Sequence, residues 1–165
     1  ICACLVGSEM CIRDRCKMYC GEKNQMYSAL SEELARMYNA AGRREESLAC
    51  HLAVRNQLLK NGYREGSLLL MVDNNMSVVY LDLGKPEEAI PYLTEALELT
   101  KENGLVGSAV AEPTWNLARV YRALGDEEKE DIYLKAAVEG FRECYPPEHP
   151  KRIAAEQRLK ERQEE

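Results

Sequence analysis

Two histidines, seven cysteines and several adjacent carboxylates are the residues of this 165-residue chain whose types could carry chemistry. Cys16 and Cys20 stand four apart, on one side of a helix if they are helical. Two thiolates leave a tetrahedral zinc site half built, and no further Cys or His stands at the spacing that would complete it. The cysteine count is odd and crowded at the start of the chain, which does not describe a disulfide framework. His51 reads as a core or partly exposed substitution on a helix rather than a base, and His149 as part of a turn. No Ser or Cys sits in a nucleophile motif such as G-x-S-x-G, and no glycine-rich phosphate loop is present. Glu87-Glu88 and Glu127-Glu128 are carboxylates at helix starts, where the helix dipole favours them. These patterns predict no enzyme, no metal and no cofactor.

What remains is recognition chemistry. Asn74, Asn75 and Asn116 carry amides, which donate and accept at once, as a peptide bond requires. Arg36, Arg119 and Arg122 carry guanidinium forks suited to carboxylates. The single tryptophan, Trp115, stands beside them, and Trp and Arg are enriched where interfaces bind most tightly. These residues recur at fixed distances from three tyrosines, Tyr38, Tyr80 and Tyr121. Six, five and two residues before each Tyr, and one after, stand Glu32, Glu33, Arg36 and Asn39; then Asn74, Asn75, Val78 and Leu81; then Trp115, Asn116, Arg119 and Arg122.

The elements that must position them repeat. Each Tyr stands four residues before a Gly, and Gly42, Gly84 and Gly125 lie 42 and 41 residues apart. A fixed period of this size marks a repeat architecture. Leu34, Ala35 and Tyr38, with their counterparts Met76, Ser77 and Tyr80 and Leu117, Ala118 and Tyr121, form one stripe of a 3.6-residue helix. The Gly then ends that helix. Lys85-Pro86-Glu87-Glu88 starts a second one, with Pro where a first-turn N–H is unpaired anyway, and Asp126 is placed to cap another. Small residues three before each Tyr (Ala35, Ser77, Ala118) and after the Gly (Ala89, Ala96, Ala137) let paired helices approach closely. Ser47, Val54 and His51 break this pattern in the first repeat and Glu130 in the third, so those two repeats should pack more loosely than the second.

The arrangement resembles the tetratricopeptide repeat (TPR). The ordinary TPR period is ~34 residues, and the longer period here is similar to the extended repeats of kinesin light chain type. The stretch 125–150 ends in Pro147-Glu148-His149-Pro150, like the GxEHP turn of those repeats. Asn74-Asn75-Met76-Ser77 and Trp115-Asn116-Leu117-Ala118 resemble their Asn-Asn-Leu-Ala. The resemblance covers residues 24–150. It implies an all-α, right-handed superhelix, an α-solenoid of antiparallel helix-turn-helix repeats whose first helices face a concave groove. It also implies that Asn75 and Asn116 hold the backbone of an extended peptide, with Arg36, Asn39, Asn74, Val78, Trp115, Arg119 and Arg122 around them. Glu32 stands where a two-carboxylate clamp wants Lys or Asn, so that ligand is not expected.

The two ends differ from the repeats. Residues 16–24 align with 58–66 as the tail of an upstream second helix. "EMCIRDR" (9–15) is what GAGATGTGTATAAGAGACAG encodes with a suitable third base, and most of that string resembles the transposon end used to fragment DNA for sequencing. Residues 1–15 are therefore expected to be adapter read-through, 16–27 the tail of a truncated repeat, 28–150 three repeats (28–67, 68–108, 109–150), and 151–165 a polar capping helix. In the last segment Lys160 and Gln163 occupy positions where a packed repeat would place a small residue and a Tyr, which suits a face turned to water.

A net charge of −6 argues against nucleic acid as a partner. No apolar run approaches the roughly 18 residues of a membrane span. The expected function is a cytoplasmic protein-binding scaffold whose partner segment mixes acidic and apolar side chains. Two other readings stay open: a self-associating module forming a homo-oligomer, and a sensor region of a larger protein.

Overall fold

The computed structural model describes residues 2–21, 24–63 and 67–164, without the side chains at 2–6, 8–10 and 20. Among the described residues there are eight helices and no strand: α1 (Cys2–Cys20), α2 (Gln25–Ala40), α3 (Arg44–Lys60), α4 (Ser67–Asp82), α5 (Pro86–Glu102), α6 (Ser108–Leu124), α7 (Glu127–Cys144) and α8 (Pro150–Glu164). They fall into two compact units, Ile1–Leu83 and Gly84–Glu165.

Glycine sets the helix ends. Gly42 and Gly125 have φ of +76° and +72°. The residue after each closes back onto the tyrosine five before it: Arg43 N–H bonds the Tyr38 carbonyl at 2.9 Å and Asp126 N–H the Tyr121 carbonyl at 3.0 Å. This wider loop satisfies a carbonyl that the helix leaves bare, and it requires a left-handed residue that only Gly adopts freely. The second helices end the same way, with Tyr63 N–H on the Leu58 carbonyl at 2.9 Å and Leu105 N–H on that of Thr100 at 2.8 Å. Gly21 has a similar φ of +77°, and its N–H bonds the Lys17 carbonyl at 3.0 Å. At the helix starts, Asn24 Oδ1 accepts the Met26 N–H at 2.8 Å and Asp126 Oδ1 that of Lys129 at 3.1 Å.

In the first unit α1 packs on α2, α2 on α3, and α3 on α4, while α2 also touches α4. The buried stripe is Leu34 and Ala35 of α2, Leu58 of α3, and Leu69, Val72 and Met76 of α4. In the second unit α5 packs on α6, α6 on α7 and α7 on α8, around Leu93, Leu117, Leu134, Val138 and Phe141. Gly140 allows the close approach of α6 and α7: a Cβ there would stand 2.8 Å from the Ala111 Cβ.

The helix α1 runs unbroken through residues 7–15, although they show no helical period. The residues that break the pattern in the first and third repeats, Ser47, His51, Val54 and Glu130, are all buried. The polar ones find partners, as buried polar groups must. Ser47 Oγ donates to the Ala35 carbonyl at 2.7 Å. Glu130 takes two bonds from the Arg158 guanidinium of α8, at 2.7 and 3.2 Å. The Cys16–Cys20 pair lies partly outside the described residues, because the Cys20 side chain is not among them.

Candidate functional site

In the first unit, α2 and α4 bring four of the anticipated residues to one cleft. Arg36 and Asn39 stand one helical turn apart on α2, Asn75 and Val78 likewise on α4, and with Ala40, His51 of α3 and Val79 they line a cavity of about 210 Å³. Beneath it lies Glu32, 1% exposed, where a ligand-facing position was expected. Its carboxylate is held from two sides: His51 Nδ1 lies 2.8 Å from Oε2, and the Asn75 side-chain amide donates to Oε1 at 2.8 Å. Glu33 remains at the surface, paired with Arg36 at 2.8 Å. The side-chain oxygen of Asn39 is buried without a hydrogen-bond partner. Asn74 is half-buried, and its carbonyl accepts the Ser77 hydroxyl at 2.6 Å. Sequence reasoning missed the Glu32–His51–Asn75 cluster. The signal was there in two misfits, a histidine where an apolar side chain belongs and a carboxylate on the stripe beside it.

A second buried pair sits nearby. Arg55 Nε donates to Asp73 Oδ1 at 2.7 Å, with the Asp73 side chain fully buried. Cys50 Sγ lies 3.2 Å from the Ser31 carbonyl, and burial, with the Glu32 charge adding to it, raises its thiol pKa.

In the second unit, α6 carries Trp115, Asn116, Arg119 and Arg122. Trp115 is half-buried and meets Phe141 edge-on at 6.4 Å. Asn116 is only 5% exposed, and its Oδ1 accepts Arg119 Nη1 at 3.1 Å. Arg122 is exposed. The amide expected to reach a peptide backbone thus lies under its neighbouring guanidinium.

The turn before α8 is a joint. The Tyr145 hydroxyl donates to Glu112 Oε1 at 2.5 Å, and Lys151 Nζ meets the same oxygen at 2.7 Å. Burial and the Glu112 carboxylate push the Tyr145 hydroxyl from 10.0 up to about 12. Burial works against the Glu112 charge, but Lys151 and Tyr145 outweigh it and hold that carboxyl below its ordinary range. The His149 ring stacks on Tyr145 at 3.8 Å, and its Nδ1 accepts the Lys151 N–H at 3.3 Å. Among the described residues no cluster of His, Cys, Asp and Glu could hold a metal ion, and no helix is long and apolar enough to cross a membrane.

Comparison with solved structures finds the same fold. The chain superposes on the nearly identical TPR-like repeats of a putative kinesin light chain from Podosopora anserina with a TM-score of 0.76, at 21% identity over 96% of this chain and 76% of that one. A point variant of those repeats gives 0.78 at the same identity and coverage. BtubC (BKLC) from P. vanneervenii gives 0.70, at 19% identity over 85% of this chain and 64% of the other. Comparison with curated protein sequences finds no match. The sequence profile of the tetratricopeptide repeat matches at residues 25–102 and 68–143. Helix pairs closed by left-handed glycines, an all-α solenoid fold shared with kinesin light chain repeats, and a profile covering most of the sequence agree: this chain belongs to the tetratricopeptide repeat family.

Proposed function

We propose that this chain binds an extended segment of another protein through the first-helix faces of its repeats. The observation that carries the reading is the cleft of the first unit, where Arg36, Asn39, Asn75 and Val78 meet around one cavity. Such a surface offers an amide pair for a peptide backbone and an apolar wall. On the second unit Trp115 supplies an apolar face of its own and Arg119 and Arg122 supply guanidiniums suited to carboxylates, and Asn74 on the first is a further amide. The partner segment mixes acidic and apolar side chains. No catalytic group belongs to this reading, and the cytoplasm suits the free thiols of Cys50 and Cys144.

The test is a screen of acidic and aromatic peptides against the wild type and the single variants Arg36→Glu and Arg119→Glu. Binding that falls about tenfold or more in each variant, with helix content unchanged, supports the reading. Equal affinity in all three proteins overturns it.

Self-association is the second reading. Met18, Tyr19 and Met26 are 67%, 79% and 62% exposed on α1 and α2, and exposed large apolar side chains favour contact with a second copy. A mass that rises with concentration in sedimentation would mark it.

A further inference from the structure

We propose that the cleft of the first unit is a pocket for a carboxamide side chain, Gln or Asn, presented by the bound segment; this rests on the peptide-binding reading above. The starting point is Asn39. Its side-chain oxygen is buried and unpartnered, on a residue that lines the cleft. A buried acceptor without a donor lowers the stability of the empty protein. A ligand that supplies the donor returns that free energy on binding. Rotation about χ2, which is soft for Asn, turns the amide toward such a ligand.

The neighbours decide what kind of donor fits. The Glu32 carboxylate already takes bonds from His51 and Asn75. The Arg36 guanidinium is engaged by Glu33. Each charged group at the cleft therefore already has a hydrogen-bond partner, and an added charge finds none that is unengaged. A Lys or Arg side chain would meet Arg36. A carboxylate would meet the Asn39 oxygen and the buried Glu32. An aliphatic side chain would fill the space and leave Asn39 unsatisfied. A carboxamide is uncharged and both donates and accepts, so it complements the Asn39 amide in either of its two orientations. The methylenes of Gln lie against Val78 and Val79, and about 210 Å³ holds such a side chain.

The experiment titrates the ¹⁵N-labelled full chain with four capped amino acids: N-acetyl-N′-methylamides of Gln, Glu, Leu and Lys. The readout is the side-chain amide resonances of Asn39 and Asn75. The Gln probe is expected to shift both in a saturable way, about tenfold tighter than Glu or Leu. Asn39→Leu removes that preference. Asn39→Asp keeps the shape, places a negative charge in the cleft and moves the preference from the Gln probe to the Lys probe. Equal response to Gln and Leu, no response to any probe, or an Asn39→Asp protein that still ranks Gln above Lys overturns the pocket. Failure here, with peptide binding still lost in Arg36→Glu and Arg119→Glu, removes only the carboxamide assignment. Failure of both removes the peptide reading itself.

Discussion

Glu32 shows what a single buried carboxylate demands. It is 1% exposed and has its partners on two other helices, His51 on α3 and Asn75 on α4. Removing one member of a buried pair leaves the other uncompensated, which typically costs more than the pair contributes. His51→Leu is expected to destabilise the chain by about 3 kcal/mol, and Glu32→Leu/His51→Leu to recover most of that, both measured by urea titration of helical circular dichroism. A single-variant cost under about 1 kcal/mol would show that the carboxylate reaches water. The cleft residues Arg36, Asn39, Asn75 and Val78 were legible because helical period places them on one stripe. Glu32 was not. A charged residue on that stripe reads as exposed, and its partners lie 19 and 43 residues away, beyond any local pattern.

The helices themselves were legible where their ends carry chemistry. Left-handed glycines, a first-turn proline and Asp126 fix boundaries that periodicity alone would blur. The helix α1 escaped notice because residues 7–15 carry no apolar stripe, although no proline interrupts them. The closeness of α6 and α7 was also invisible, since it depends on which residue of α6 faces Gly140. In a free helix, Gly→Ala stabilises by up to about 1 kcal/mol. Here the added Cβ would stand 2.8 Å from the Ala111 side chain and 3.5 Å from its backbone. The clash outweighs the helical gain, so Gly140→Ala is expected to lower stability by about 1–3 kcal/mol. Gly140→Ala/Ala111→Gly should relieve it. Thermal melts of the two variants decide the point, and a stabilised Gly140→Ala would show that the helices can move apart.

Across the whole molecule, ionisation sets a window of stability. The carboxyls of Glu46, Glu112, Asp126 and Glu156 are lowered below their ordinary values, held by Arg43; by Lys151 and Tyr145 against burial; by Lys129; and by Arg142. A lowered folded-state pKa contributes stability above the ordinary value of 4.5 or 3.8, and that contribution is lost as pH falls through the folded value. Tyr145 works in the opposite sense. Its protonated form is favoured by folding, so its contribution is complete below 10.0 and disappears as pH rises through about 12. Melting temperatures between pH 3 and about 12 should fall at both ends. Tyr145→Phe should flatten the alkaline limb and, because its hydroxyl helps to hold Glu112 low, also weaken the acid limb, and absorbance at 295 nm should show Tyr145 ionising late in the wild type. The repeat order was legible at this scale from the glycine period alone. What the period could not disclose is that the repeats are not interchangeable. Glu32 answers to His51 and Asn75, Asp73 to Arg55, and Glu130 to Arg158, each on another helix of its own unit. A gene that lengthens or shortens by unequal crossing-over copies whole repeats as blocks. Here a misplaced block would part Asp73 from Arg55 or Glu130 from Arg158 and leave a buried carboxylate without its cation, although Glu32 would keep His51 of its own repeat. The buried charges act as an address for each block, and they tend to preserve the present order against the recombination that repetitive coding sequence invites.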